Sequence, residues 1–234
     1  SVMVMGELEL SGKIRGVKGV HAAISTAIAN GITRCIVPSG NLDEALEVEG
    51  ALVYGANSLA DAFNALSDVN VFKEKKLDVK NKDDVEFADL GNAYRFEDIK
   101  GQFKLVRGLQ IAAAGGHNVL ALGAPGCGKT MAMQKFPGIN PLLSMDESQS
   151  VTRIWSLAGL IKPNEPLIRV PPFRMPHQTA TIEGICGGGV DVRPGEISLA
   201  HNGVLFLDEA GEFRSSVLQM LRVPLESGCI TLSR

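Results

Sequence analysis

The chain has 234 residues, 45% hydrophobic and 21% charged, an ordinary globular make-up with room for one large domain or two small ones. Its net charge of −3, from 23 basic against 26 acidic residues, gives no sign of a generally basic nucleic-acid binder, so any such site must be local or assembled from several subunits. No apolar run approaches membrane-spanning length, and Cys35, Cys127, Cys186 and Cys229 show no paired metal spacing; no membrane partner and no structural metal are expected, and the cysteines read as reduced thiols of a cytoplasmic protein.

Val2-Met-Val-Met5 is strand-like from the first residues, an abrupt start that places the native N-terminus elsewhere. Gly6 to Leu10 alternates polar and apolar residues, and Ser11-Gly12 makes a turn. Val20, Ile24, Ala27 and Ile28 then fall at helical spacing, and Asn30-Gly31 ends that helix. Arg34 to Val37 reads as a strand stopped by Pro38, Asn41 to Glu44 as a helix start, and Leu52 to Tyr54 as another strand. Ser58 and Asp61 have capping-box spacing and open a helix through Leu66. The series is an α/β unit.

Gly6-Glu-Leu-Glu-Leu-Ser-Gly-Lys-Ile-Arg-Gly-Val-Lys-Gly-Val20, followed by Gly31-Ile-Thr-Arg-Cys-Ile-Val-Pro38, resembles the C-terminal half of a Lon-protease-like domain. In active Lon proteases a catalytic lysine follows the glycines of that turn; His21 stands at that place here. The resemblance puts the serine-bearing segment before Ser1. A lone histidine at a helix start reads as a surface or capping group, so the segment is expected to be a non-proteolytic relic.

From Asp68 to Glu86 periodicity fades and charges accumulate, with lysines at 73, 75, 76, 80 and 82, which reads as a solvated linker. Leu105, Leu109, Ala112 and Ala113 form the apolar stripe of a helix that Gly115-Gly116 stops. Asn118 to Leu122 reads as a short buried strand. It leads into Gly123, Ala124, Pro125, Gly126, Cys127, Gly128, Lys129, Thr130, which fits the phosphate-loop pattern, with Met131 opening a helix. The glycines let backbone N–H groups converge on phosphate oxygens, Lys129 supplies a point charge for the β- and γ-phosphates, and the Thr130 hydroxyl can bind Mg²⁺. Gly203 to Leu207 is an apolar strand ending in Asp208-Glu209. Asp208 would hold the Mg²⁺ and Glu209 would deprotonate the attacking water. Together the two motifs specify nucleoside triphosphate hydrolysis, with ATP and Mg²⁺ as the expected cofactors. Ser144 to Glu147 again has capping-box spacing, ahead of a helix through about Gly159. Ser215 to Val223 reads as a helix, and Pro224 to Arg234 as a hairpin turning at Ser227-Gly228.

Several stretches carry a second resemblance: Pro172-Phe-Arg-Met-Pro-His177, the glycine triplet Gly187–Gly189, Pro194-Gly-Glu-Ile-Ser-Leu-Ala-His-Asn-Gly-Val-Leu-Phe-Leu-Asp-Glu209, and Leu225-Glu-Ser-Gly-Cys-Ile-Thr-Leu-Ser-Arg234. The set is similar to magnesium-chelatase-like AAA+ proteins of the YifB/ComM family, over essentially the whole chain. The departure is Ala210-Gly211, where the family pattern has Leu-Pro. In AAA+ proteins a segment like Ile99-Lys-Gly-Gln102 lines the adenine pocket, which makes Ile99 and Gly101 candidates for base contact.

The fold this implies is α/β. Residues 1–67 would be the C-terminal part of a Lon-like domain, 68–92 a charged linker, and 93–234 the N-terminal part of an AAA+ three-layer α/β/α core, cut before sensor 1 and the helical lid. The resemblance further implies a homo-hexameric ring that remodels DNA. Two alternatives stay open, a magnesium chelatase subunit driving Mg²⁺ into a porphyrin and a nucleotide-binding module without turnover. Because the strands that flank 118–122 in that fold come after Arg234, this segment is expected to lack its usual ladder, and the 234-residue piece alone to lack ATPase activity.

Overall fold

The computed structural model describes residues 1–75, 85–162, 165–189 and 192–230. The N-terminal part carries strands β1 (Val2–Val4), β2 (Glu7–Leu8), β3 (Ile14–Arg15), β4 (Arg34–Pro38) and β5 (Leu52–Ala56), with helices α1 (Val20–Ala29), α2 (Leu42–Leu46) and α3 (Leu59–Ser67). Helices α4 (Phe103–Gly115), α5 (Lys129–Gln134), α6 (Met145–Ala158), α7 (Ile182–Cys186), α8 (Glu196–Leu199) and α9 (Ser215–Ser227) follow. Among them lie two-residue strands β6 (Phe173–Arg174), β7 (Gly187–Gly188), β8 (Arg193–Pro194) and β9 (Val204–Leu205). The fold is mixed α/β. Among the described residues, no helix is long and apolar enough to cross a membrane.

The chain divides into two compact units, and they interleave in sequence. The first comprises Ser1–Lys80, Met145–Ile168 and Val190–Pro194; the second comprises Asn81–Ser144, Arg169–Gly189 and Gly195–Arg234. Helix α6 lies beyond the phosphate loop in sequence yet belongs to the first unit.

In the first unit β1, β4 and β5 form a parallel sheet in the order β1-β4-β5, while β2 and β3 pair antiparallel. Val20, Ile24, Cys35, Val37 and Val53 are fully buried on one side of the sheet; Ile36, Ala56, Ala62 and Ala65 fill the other. This is the two-period alternation expected of β4, with Cys35 and Val37 facing one way and Ile36 the other. Ser58 and Asp61 close the capping box at the start of α3. The segment read as a solvated linker is bound at its start: the Lys73 N–H donates to the Val53 carbonyl and the Val53 N–H to the Lys73 carbonyl, at 2.8 and 2.7 Å, and Lys75 pairs with Glu47. Lys76, Lys80 and Lys82 lie outside the described residues.

His21 is no surface or capping group. It is fully buried, and its backbone N–H donates to Glu44 Oε1 at 3.1 Å. The same carboxylate accepts from Ser156 of α6 and, through Oε2, from Asn41 Nδ2 at 3.2 Å. Asn41 in turn brackets Val17, accepting from its N–H and donating to its carbonyl, each at 3.0 Å. Gly19 N–H donates to the Ser156 carbonyl, and the Gln149 amide to the Glu47 carbonyl. A buried polar knot thus joins the start of α1, α2 and α6.

In the second unit, Ile99, Leu109, Ala112, Ala132, Met133, Phe136 and Phe206 form the main core, and Ile185, Cys186, Phe213 and Val217 a smaller one. Strand β6 runs parallel to β9, with Phe173 opposite Val204 and Arg174 opposite Leu205. Gly203 allows this approach: a Cβ there would lie 2.1 Å from the Pro172 carbonyl oxygen. Two sequence expectations fail here. Residues 118–122 are not a strand and not buried; Leu120 is 80% and Leu122 85% exposed. Without a neighbouring strand to take their N–H and C=O groups, they have no ladder to join. The hairpin turning at Ser227-Gly228 is also absent: α9 runs on through Pro224 to Ser227, where Gly228, at φ 67°, ends it. Residues 231–234 lie outside the description.

Candidate functional site

The phosphate-loop residues enter α5 through two left-handed glycines, Gly126 at φ 73° and Gly128 at φ 86°, a backbone that residues with a Cβ adopt only under strain. Gly123 to Gly126, with Ala124 and Pro125 between them, are exposed. Lys129 folds back over the loop. Its ammonium donates to the carbonyls of Gly123 and Ala124, each at 2.8 Å, and lies 3.7 Å from Cys127 Sγ. From outside the motif, Gln102 holds the loop, its amide donating to the Cys127 carbonyl at 2.8 Å. Unlike its neighbours Ile99 and Gly101, Gln102 is not among the residues expected at the site.

The two motifs meet. Thr130 Oγ1 donates to Asp208 Oδ1 at 3.1 Å, across 78 positions of sequence. Asp208 Oδ1 also accepts from the Glu209 N–H at 3.1 Å. Glu209 is exposed and left-handed, at φ 50° and ψ 52°, an uncommon backbone for a residue with a side chain. Its carboxylate turns to Gln178, whose amide donates to Oε2 at 2.7 Å.

The turn carrying Gln178 is itself anchored. Arg174 makes a two-pronged ion pair with Glu196, at 2.6 and 2.8 Å, and this raises the guanidinium pKa further. The rings of Phe173 and Phe206 pack at 6.0 Å. None of these partnerships is foreshadowed by spacing, because each joins residues that only the fold brings together.

Of the other predicted residues, Met131 is half-exposed on α5, and Gly101 is exposed at φ 73°. Ile99 is 8% exposed and spends its side chain in the core with Leu109 and Phe206. A groove of about 330 Å³ runs beside the loop, bordered by Gln102, Leu105, Leu120, Leu122, Cys127 and Lys129. A second hollow of about 400 Å³, at Tyr94, Arg95 and Phe96, contains none of the chemistry-bearing residues.

A hydroxyl beside a carboxylate is a pair of hard oxygen donors, which suits Mg²⁺. Among the described residues, no group of three or more His, Cys, Asp or Glu could hold a metal ion.

In the first unit, burial pushes His21 down to about 4, with the Gln149 amide and the Glu44 charge acting against the shift. Its Nε2 has no well-aligned hydrogen-bond partner, and Nδ1 lies 3.5 Å from Ser25 Oγ.

Residues 95–234 match the family described as "Magnesium chelatase, subunit ChlI", and residues 1–41 match "Subunit ChlI of Mg-chelatase". An uncharacterized protein of Mycobacterium tuberculosis strain H37Rv is 40% identical over 235 residues, 100% of this chain and 45% of that protein. The uncharacterized protein YifB of Escherichia coli K12 is 41% identical, over 99% of this chain and 44% of its own length. The competence protein ComM of Haemophilus influenzae is 38% identical, over 98% of this chain and 44% of its own length. The chain thus spans a little under half the length of these curated relatives. With the family matched over residues 95–234 and these relatives aligned across both units, the chain belongs to the magnesium-chelatase family and is homologous to its YifB/ComM AAA+ proteins.

Proposed function

We propose that the chain is the nucleotide-handling part of an ATP-driven motor that remodels DNA as a hexameric ring. The observation that carries the nucleotide half is the bond between Thr130 and Asp208, which joins the end of the phosphate loop to the end of β9. In this reading the N–H groups from Gly126 to Thr130 cradle the phosphates. Lys129 exchanges two loop carbonyls for phosphate oxygens. Thr130 and Asp208 would hold Mg²⁺, which supplies charge neutralisation at the phosphates. Glu209 takes a proton from the attacking water. Ile99 and Gly101 remain the candidates for contact with the base, Gly101 through its exposed backbone.

The DNA half is what the resemblance to the YifB/ComM proteins implies. The first unit we read as a Lon-like domain without proteolytic function. A fully buried, uncharged His21 supports this, because it cannot serve as an accessible base. In sequence terms the partition is 1–67, a linker over 68–92, and an AAA+ core from 93.

The family description favours a second reading, an ATPase subunit that drives Mg²⁺ into a porphyrin. The discriminating experiment is ATP turnover by the full-length protein with branched or single-stranded DNA, and separately with a porphyrin acceptor. DNA stimulation supports the motor; stimulation by porphyrin alone supports the chelatase. Glu209→Gln should bind ATP and slow turnover by about 10²–10⁴-fold, the usual weight of a general base. Wild-type turnover by that variant would remove Glu209 from the chemistry. A protein that binds ATP and never turns it over would be the binding module.

A further inference from the structure

We propose that Gln102 is a positioning residue for the phosphate loop: its amide holds the Cys127 carbonyl, and through that peptide keeps the Gly128 N–H turned toward the phosphates. The proposal rests on the loop binding nucleotide, as read above.

The carbonyls of the loop are held by two side chains of different standing. Lys129, from within the motif, spans the carbonyls of Gly123 and Ala124, each at 2.8 Å. In the reading above it gives these up for phosphate oxygens. Gln102, from 25 positions upstream, donates to the Cys127 carbonyl at 2.8 Å. Its amide carries no charge, so phosphate draws it far less than it draws an ammonium. Gln102 is then the tie that remains when Lys129 leaves.

Covalent geometry gives that tie a direction. The peptide joining Cys127 to Gly128 is planar and trans, so its C=O and N–H point opposite ways. A carbonyl turned to Gln102 sends the Gly128 N–H to the other side. Gly126 and Gly128 flank Cys127, and glycine backbone rotates readily. Without an outside hold this peptide is free to flip, and a flip puts a carbonyl where a phosphate needs a donor.

The hold has a rigid base. Gln102 occupies the N-cap position of α4, yet its side chain makes no bond to its own helix. Its carbonyl accepts from the Val106 N–H at 2.9 Å. Helix α4 buries Leu109 and Ala112 in the main core, and Ile99 enters the same core just upstream. With the backbone fixed on both sides, ordering the amide costs little further entropy, and a preformed loop binds more tightly than one that must be ordered.

The test is nucleotide titration and steady-state ATP turnover of the full-length protein with Gln102→Met, which keeps the length and removes the donor. Kd and KM for ATP should rise about tenfold, with kcat at saturating ATP within about threefold of wild type, because the loop grips phosphate alike before and during reaction. Gln102→Glu, whose ionised carboxylate only accepts, should weaken binding further. Protonation returns a donor to that side chain, so its deficit relative to wild type should shrink as pH falls from about 8 to about 5. Should Gln102→Met not fold, Gln102→Ala is read by the same criteria. Unchanged ATP affinity in Gln102→Met, a loss confined to kcat, or a Gln102→Glu deficit that ignores pH would each overturn the proposal. If Lys129→Ala also binds ATP as wild type does, the nucleotide reading itself fails; if Lys129→Ala loses ATP and Gln102→Met does not, only the role of Gln102 fails.

Discussion

The two units treat their polar groups in opposite ways. In the first, Glu44, His21, Ser156 and Thr152 are all but shut off from water, and Glu44 alone serves three donors from separate elements. In the second, Lys129, Thr130, Asp208, Gln178 and Glu209 are half-exposed or exposed, each held by one to three contacts. The apolar side differs as well. The first unit lays a continuous three-stranded parallel ladder over fully buried aliphatic side chains, whereas the second has strands of two residues and leaves Leu120 and Leu122 in solvent. A buried, satisfied polar group mainly stabilises and specifies a fold, while an accessible one can exchange partners with a ligand. By that contrast the first unit has the build of a scaffold, and the second presents the polar groups that a ligand could recruit.

The sharpest way to break this comparison is Lys129→Ala. If the accessible unit is the chemical one, losing its loop cation should weaken ATP binding by on the order of 10²-fold or more, the usual cost of removing one partner of a desolvated charged contact. Stability should barely move, because the ammonium only spans carbonyls of an exposed loop. Calorimetric titration with nucleotide, alongside a melting curve, reads both quantities. Unchanged affinity in a folded variant would remove the loop from nucleotide binding.

The mirror experiment is Glu44→Ala. It strands the His21 N–H and the Asn41 and Ser156 side chains in a buried place, where an unpaired donor is costly. We expect a loss of about 3 kcal/mol in denaturant unfolding, with nucleotide affinity intact in the folded protein. A neutral outcome would mean that water satisfies the knot and that the first unit is looser than described.

What the sequence disclosed follows the same divide. Helices α1, α3 and α4 and strands β4 and β5 were legible because periodicity, capping and turn residues are local signals, and local signals survived packing there. The glycine turn into helix α5 was legible because Gly126 and Gly128 mark a left-handed entry to a helix. At residues 118–122 only the buried strand failed, because an apolar run says that a segment wants a ladder; the expected lack of that ladder agrees with the strand-free backbone there. Pro224 misled because a proline reads as a breaker, yet helix α9 tolerates it in its last turn. The burial of His21 and the partners Gln102, Gln178 and Arg174 gave no local signal. They arise from pairings of residues from 22 to 31 positions apart, as for Arg174 with Glu196 and Gln178 with Glu209.

A gentler perturbation of the scaffold is acid. His21 has a folded pKa of about 4 against an ordinary 6.5, so the unfolded chain takes up its proton first as pH falls. The stability tied to the neutral ring is therefore fully present above about pH 6.5 and drains away toward pH 4. By pH 5.5 the loss should be about 1 kcal/mol. His21→Leu should flatten this part of the stability profile. An equal slope in wild type and variant would assign the acid sensitivity to other groups.

The smallest expected effect lies in the thiols, which compare the two units within one measurement. Burial pushes Cys35 of the first unit up to about 11 and raises Cys186, so both should resist alkylation at neutral pH. Cys229 is exposed and Cys127 half-buried in the phosphate loop, with the Lys129 ammonium 3.7 Å from its sulfur. Neither is buried, so Cys127 and Cys229 should both label before Cys35 and Cys186. Bound ATP would draw Lys129 away to the phosphates and cover the loop. Labelling of Cys127 should then slow a few-fold, with Cys229 serving as the unprotected control. Peptide mass spectrometry after brief alkylation, with and without ATP, separates the four sites. Equal protection of Cys127 and Cys229, or none of either, would show that the loop does not close around nucleotide as its exposed backbone implies.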